Sequence, residues 1–307
     1  SYVWSPATSL SCTNCATPVA SPTTTRTYKV EGINTYGTLQ CKASDEVVVT
    51  VQQRFTVKAN GGDTLCIGES YGLQASGADL YQWTPAMSLN DATSDKPIAS
   101  PVTSTTYTVT GRDVNGCFTS TATVPVIVYP YPVVELGPNL EVNVGFPHQL
   151  KPTLSADVTT IQWSPSLGLS CTTCPTPMAT PKQTTTYKIQ VANKGQCISE
   201  DNITLFTVCK GENMFLPNTF SPNGDSFNEA FYPRGRGLAS VKTFRIFNRW
   251  GEVVFESGNF QVNDRSKGWN GMYKGKPASS DVYIYIIEVT CDNGTPLTFK
   301  GDVTLLR

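Results

Sequence analysis

Three tryptophans set the frame of this chain. Trp4-Ser-Pro, Trp83-Thr-Pro and Trp163-Ser-Pro each lead, at constant spacing, to a proline (Pro18, Pro97, Pro177) and then to a tyrosine (Tyr28, Tyr107, Tyr187). A frame that recurs with so regular a period is the mark of tandem modules. Around the tyrosines, Thr105-Thr-Tyr-Thr-Val-Thr110 and Thr185-Thr-Tyr-Lys-Ile-Gln190 alternate threonine with apolar residues. That is the period of two of a half-buried strand. Short strands punctuated by Gly and Pro over such a length predict all-β architecture, with tandem sandwiches of immunoglobulin-like or PKD-like type followed by a further C-terminal sandwich.

The boundaries follow from the frame. Residues 1–53 carry only the later strands of a module, 54–129 and 130–209 are whole modules, and 210–307 lie outside the repeat. Because the frame is already under way at Ser1, the chain reads as a fragment. At the junction Tyr129-Pro-Tyr-Pro132, proline fixes φ and restricts the residue before it, which predicts a stiff link and a rod.

Charge excludes several functions. The formal net charge is −1; residues 1–209 hold 11 basic and 14 acidic side chains (−3), residues 210–307 hold 12 and 10 (+2). Neither region offers the basic patch that nucleic acid requires. No apolar run approaches the ~20 residues of a membrane-spanning helix. With one histidine, His148, there is no histidine cluster. Neither a glycine-rich phosphate loop nor a nucleophile elbow is present. The expectation is a protein without catalytic activity of its own.

The copies also sort the ten cysteines. Cys12/Cys15 and Cys171/Cys174 lie at the same two offsets from their tryptophans, where the middle module has Asp91 and Ser94. Loss of both together predicts that each pair forms a disulfide within its own loop, contributing roughly 2 kcal/mol by loop entropy. Zinc would need two further ligands nearby, and a redox role a βαβ context. Cys117 aligns with Cys41 and Cys197, and Cys66 lies upstream of its module's tryptophan, Trp83. A Cys66–Cys117 bridge across the second sandwich is expected, leaving Cys197 without that partner because Phe146 takes the Cys66 position. Cys209 and Cys291 would staple the C-terminal region, with Cys197–Cys209 as the alternative. Any of these bridges implies an oxidising location.

Residues 215–307 carry five ordered motifs: Phe215-Leu-Pro-Asn-Thr-Phe-Ser-Pro-Asn-Gly-Asp-Ser-Phe-Asn-Glu229, Phe244-Arg-Ile-Phe-Asn-Arg-Trp-Gly-Glu-Val-Val-Phe255, Gly268-Trp-Asn-Gly271 with Tyr273-Lys-Gly-Lys-Pro277, Val282-Tyr-Ile-Tyr-Ile-Ile-Glu288, and Lys300-Gly-Asp-Val-Thr-Leu-Leu-Arg307. Together they resemble the type B C-terminal domain of the Bacteroidota type IX secretion system, also called the gliding-motility-associated C-terminal domain. With the repeats before it, the whole resembles the membrane-proximal end of an SprB-like cell-surface adhesin.

The resemblance implies export by the type IX secretion machinery. It further implies retention without sortase cleavage at the outer membrane by a β-barrel of the PorP/SprF family, on the extracellular face. Its rival is the non-catalytic tail of a secreted polysaccharide-degrading enzyme whose catalytic part lies upstream.

Within this region, two strands flank the turn Asn248-Arg-Trp-Gly251 and predict a hairpin. Trp250 and Trp269 are expected to pack in the core or turns. Asn223, Asp225 and Glu229 alternate around a glycine with a faint likeness to a calcium loop; the competing reading is an Asx turn whose side chains satisfy backbone amides. The terminal strand Phe299–Arg307 alternates Val303 and Leu305 with Thr304 and Leu306. Leu306 and Arg307 at its tip are the candidate contacts for the barrel, against a purely structural role for the strand.

Overall fold

The computed structural model describes all 307 residues, and the chain divides into two units, Ser1–Tyr129 and Pro130–Arg307. In the first, β1 (Tyr2–Ser5), β2 (Arg26–Tyr36) and β3 (Leu39–Val49) form an antiparallel sheet in that order. Its core is thin: Tyr28 is buried, whereas β3 is exposed along its whole length except at Val49.

The next module is complete. Here β4 (Asp63–Cys66), β5 (Leu80–Thr84), β6 (Thr105–Arg112) and β7 (Thr119–Tyr129) give the sheet order β4-β7-β6-β5, with β4 parallel to β7. Short ladders at Lys58–Asn60 with Gln74–Ser76, and Tyr71–Gly72 with Ile98–Ala99, supply a second layer. Leu73, Ala75 and Ala99 from that layer meet Trp83, Tyr107 and Val109 in one core.

The third module, in the second unit, repeats this plan. It contains β8 (Leu140–Asn143), β9 (Val158–Ser164), β10 (Thr185–Asn193) and β11 (Ile198–Val208) in the order β8-β11-β10-β9, with β8 parallel to β11.

The sequence frame is a packing unit. Each tryptophan lies opposite a β-branched residue of the tyrosine strand: Trp4 opposite Val30, Trp83 opposite Val109, Trp163 opposite Ile189. An indole N–H taken out of water needs an acceptor. Each Nε1 donates to a carbonyl of the following loop, at Cys15 (3.0 Å), Ser94 (2.9 Å) and Cys174 (3.0 Å). The loop that supplies this carbonyl is the cysteine loop, and Cys12–Cys15 and Cys171–Cys174 are disulfides. In the middle module hydrogen bonds do the same job. Asp91 accepts from the Thr93 amide (2.8 Å) and hydroxyl (2.7 Å), and the Ser94 hydroxyl accepts from Lys96 (3.0 Å).

The expected Cys66–Cys117 bridge does not form. Cys117 is an exposed free thiol, as is Cys41, whereas Cys66 and Cys197 are both disulfide-bonded. The reason is register. Cys66 pairs with Tyr129 at the far end of β7, and Cys117 precedes the start of that 11-residue strand. At ~3.3 Å per residue the two lie on the order of 30 Å apart, far beyond the ~7 Å Cα separation a disulfide can span. The same argument removes Cys197–Cys209, which flank β11; Cys209 bonds instead to Cys291, with a Cα separation of 6.4 Å.

Beyond residue 210, β12 (Thr219–Phe220), β13 (Leu238–Phe247), β14 (Val253–Ser257), β15 (Asp281–Cys291) and β16 (Pro296–Leu305) make a five-stranded sheet. Its order is β12-β16-β15-β13-β14, with β12 parallel to β16. The predicted hairpin is β13–β14, with Arg245 opposite Glu256 and Ile246 opposite Phe255. On β15 the tyrosine face turns inward: Tyr283 and Ile287 are buried, while Val282 and Ile284 are exposed.

No loose linker separates this domain from the third module. Asn213, 1% exposed, donates to the carbonyls of Val144 (2.7 Å) and Arg236 (3.0 Å) and accepts from the Lys210 amide (3.0 Å). Gly145 and Gly237 meet backbone to backbone. A Cβ on Gly237 would lie 2.0 Å from the Val144 carbonyl oxygen, and both glycines have positive φ, so no side chain fits at either. Asn143 donates to Glu212 (2.9 Å) and Asn293 to the Thr207 carbonyl (3.1 Å), beside the Cys209–Cys291 bridge.

Candidate functional site

The C-terminal domain is built round aromatic rings. Phe220, Phe231, Phe244, Trp269 and Tyr283 are buried, with ring centroids 4.8–6.0 Å apart along the cluster. Trp269 exchanges backbone hydrogen bonds with Phe231 (2.8 and 2.9 Å), and its indole donates to Met272 (2.9 Å). Within the Gly268-Trp-Asn-Gly271 motif Trp269 is therefore core, as expected, while Asn270 is exposed. Trp250 is the opposite: it is 81% exposed.

The β13–β14 turn presents that indole. Asn248 pins it by accepting from the amides of Trp250 (3.1 Å) and Glu252 (2.9 Å), and Gly251 takes the positive φ (79°) that the reversal needs. Around the ring stands a network of charge. Arg249 lies 5.7 Å from the indole centroid and is ion-paired with Asp281. Glu252 accepts from the Tyr273 hydroxyl, from Lys274 (3.2 Å) and from Asn248 Nδ2 (3.1 Å). The hydroxyl of Tyr273 and the Lys274 ammonium hold the Glu252 carboxyl below the usual carboxylate range, and Arg249 does the same for Asp281. Asn248, Trp250, Glu252, Tyr273, Lys274 and Asp281 line a surface concavity of about 570 Å³. An exposed tryptophan beside polar residues was not distinguishable in sequence from a buried one, since both tryptophans precede a glycine-bearing turn.

Asn223, Asp225 and Glu229 are brought together, and their oxygens face backbone amides. Asn223 accepts from Asp225 N (3.0 Å), Asp225 from Phe227 N (2.7 Å), and Glu229 from Gly224 N (2.7 Å) and Ser226 N (3.2 Å). No group of three or more acidic, histidine or cysteine side chains is placed to hold a metal ion. These bonds are those of an Asx turn whose side chains satisfy backbone amides. The Phe227 amide and the Asn223 side chain lower the Asp225 pKa.

At the chain terminus, Val303 and Leu305 are fully buried, and β12 covers the tip of β16 through Thr304 N to Asn218 O (2.9 Å) and Leu306 N to Phe220 O (3.0 Å). Leu306 keeps a half-exposed side chain. The guanidinium of Arg307 is engaged within the domain, donating to Ala278 (3.1 Å) and Gly271 (2.8 Å) carbonyls.

Residues 214–305 match the family described as CHU_C Type IX secretion signal domain. That match implies export by the type IX secretion machinery. Comparison with curated proteins gives no match. Among solved structures, the chain is similar to the extracellular domains 3–5 of Drosophila OTK, at 12% identity over 60% of this chain and 71% of that one, with a TM-score of 0.36. It is also similar to the eight N-terminal Ig domains of Down Syndrome Cell Adhesion Molecule, at 14% identity over 92% of this chain and 40% of that one (TM-score 0.40). Titin domains I67–I69 are similar at 13% identity, over 83% and 98% (TM-score 0.38). No helix of the chain is long and apolar enough to cross a membrane.

Proposed function

We propose that this chain is the membrane-proximal stalk and anchor of a cell-surface adhesin serving attachment or gliding, exported by the type IX system and held at the outer membrane by a PorP/SprF-type barrel. It has no catalytic activity of its own. The observation that carries the reading is the junction between the third module and the secretion signal domain. Asn213, the Gly145–Gly237 contact and Cys209–Cys291 join the signal to its passenger as one packed body. A signal meant to be cut away is better served by an exposed, extended connection that a protease can enter. A tandem array of sandwiches, each with its own core, suits a stalk.

Expression of the full chain in a type IX-competent bacterium tests this. The expected result is a cell-bound, uncleaved polypeptide digested by added protease on intact cells. Release into the medium with a new terminus between residues 205 and 215 would overturn it.

A further inference from the structure

Resting on the reading of the domain as an anchor, we infer that the anchor docks through the Trp250 turn, into an apolar cleft bordered by carboxylates on a protein of the outer-membrane secretion apparatus. The terminal strand is left to folding. Three observations lead there. Trp250 is the most exposed of the domain's large aromatic side chains, and the backbone of the turn that carries it is fixed by the Asn248 cap. On a fixed backbone a tryptophan has only two side-chain torsions left to order on binding, and tryptophan, tyrosine and arginine are the residues that dominate protein interfaces.

Charge then selects the partner. In both ion pairs that flank the indole the cation is the outer member: Arg249 is 59% exposed against 25% for Asp281, and Lys274 is 74% against 50% for Glu252. Lys276, also exposed, lines the same concavity. The concavity beside the indole thus presents cationic heads outward, and the partner must supply carboxylates round the cleft that takes it.

A saccharide fits less well. Sugar hydroxyls need free acceptors beside the ring, and here the Glu252 and Asp281 carboxylates already accept from Tyr273, Lys274, Asn248, Arg249 and the Val282 amide. The rival docking element is closed as well, because Arg307 is bound to Ala278 and Gly271 and β12 covers the tip of the last strand.

The test measures binding of the purified full chain to native outer-membrane vesicles of a type IX-secreting bacterium. Vesicles from a strain lacking the secretion components and protein-free vesicles of the extracted lipid serve as controls. Trp250→Ala should weaken binding by about 30-fold, the effect of losing a hot-spot tryptophan. Lys276→Glu should weaken it by about tenfold and reduce its salt dependence. Leu306→Ala should leave it unchanged. Unaltered thermal unfolding of each variant, with Cys209–Cys291 intact, separates docking from folding, and a photo-reactive residue at 250 should cross-link to a secretion component.

Wild-type binding by Trp250→Ala overturns the inference while leaving the anchor reading in place. So does equal binding to the control vesicles, which would make the occupant a glycan or lipid. If the wild-type chain binds none of the vesicles, the anchor reading falls and this surface with it.

Discussion

Replacing Asn213 by alanine should loosen the whole Pro130–Arg307 unit. The side chain closes three hydrogen bonds in a site from which water is excluded, to the Val144 and Arg236 carbonyls and from the Lys210 amide. A buried backbone group left without a partner costs about 1–3 kcal/mol. The space vacated by a carboxamide is close to the ~30 Å³ share of one water molecule, which can restore part of the bonding. The lower end of the range for each of three groups gives about 3 kcal/mol. In a unit of this size each kcal/mol moves the transition by roughly 2–4 °C, so calorimetry of the full chain should show the corresponding transition fall by about 6–12 °C. Asn213→Asp makes the argument sharper. It keeps the acceptor for Lys210 but sets a carboxylate against two carbonyl oxygens, so at neutral pH it should be at least as damaging as alanine, and acid should relieve it. A fall of less than about 2 °C for Asn213→Ala, or an aspartate better tolerated than alanine, would refute the view that this side chain locks the junction.

Two further outcomes are expected. Asp113 is buried, which raises its carboxyl pKa, but the amides of Phe118, Cys117 and Asn115 outweigh that and hold it below the usual aspartate range. Its contribution is complete above the unfolded value and is lost as pH falls through the folded one. The second module should therefore lose stability below about pH 4, and Asp113→Asn should flatten that part of the acid profile; an unchanged profile argues against it. Alkylation of the native chain without reductant should label Cys41 and Cys117 and no other cysteine. Label at Cys66 or Cys197, read by peptide mass, would contradict the bonding described above.

What could be read from sequence was whatever repeats or alternates. The tryptophan–tyrosine frame gave the modules because the same cross-strand packing must be rebuilt in each of them, and paired loss of Cys12/Cys15 equivalents exposed a local bridge. Cys66–Cys117 failed because co-occurrence within one module says nothing about which end of a strand each residue occupies. The decisive fact was the parallel pairing of β4 with the end of β7, a long-range register that no local pattern encodes. Trp250 and Trp269 diverged for a related reason: both sit in glycine-bearing turns, and only the closure of Phe231 against Trp269 decides which indole is covered.

The same register logic runs through the secretion domain. Its parallel β12–β16 pair stands where β4–β7 and β8–β11 stand in the repeats, so an early strand again returns to close the sheet beside the last one. In the repeats that closing pair reaches the final residues of the module, at Tyr129 and Val208. In the secretion domain it reaches Leu305, where Leu306 extends the ladder by donating its amide to Phe220 and the Arg307 guanidinium donates to Gly271 and Ala278. An end sealed in this way offers a neighbouring chain little to pair with. The opposite holds at the β13–β14 turn. There β14 is the outermost strand of the sheet, its turn projects an exposed indole, and the surrounding ion pairs turn their cations outward. On the docking inferred above, the two tasks are separated, with one end of the sheet closed for stability and the other left open to the partner.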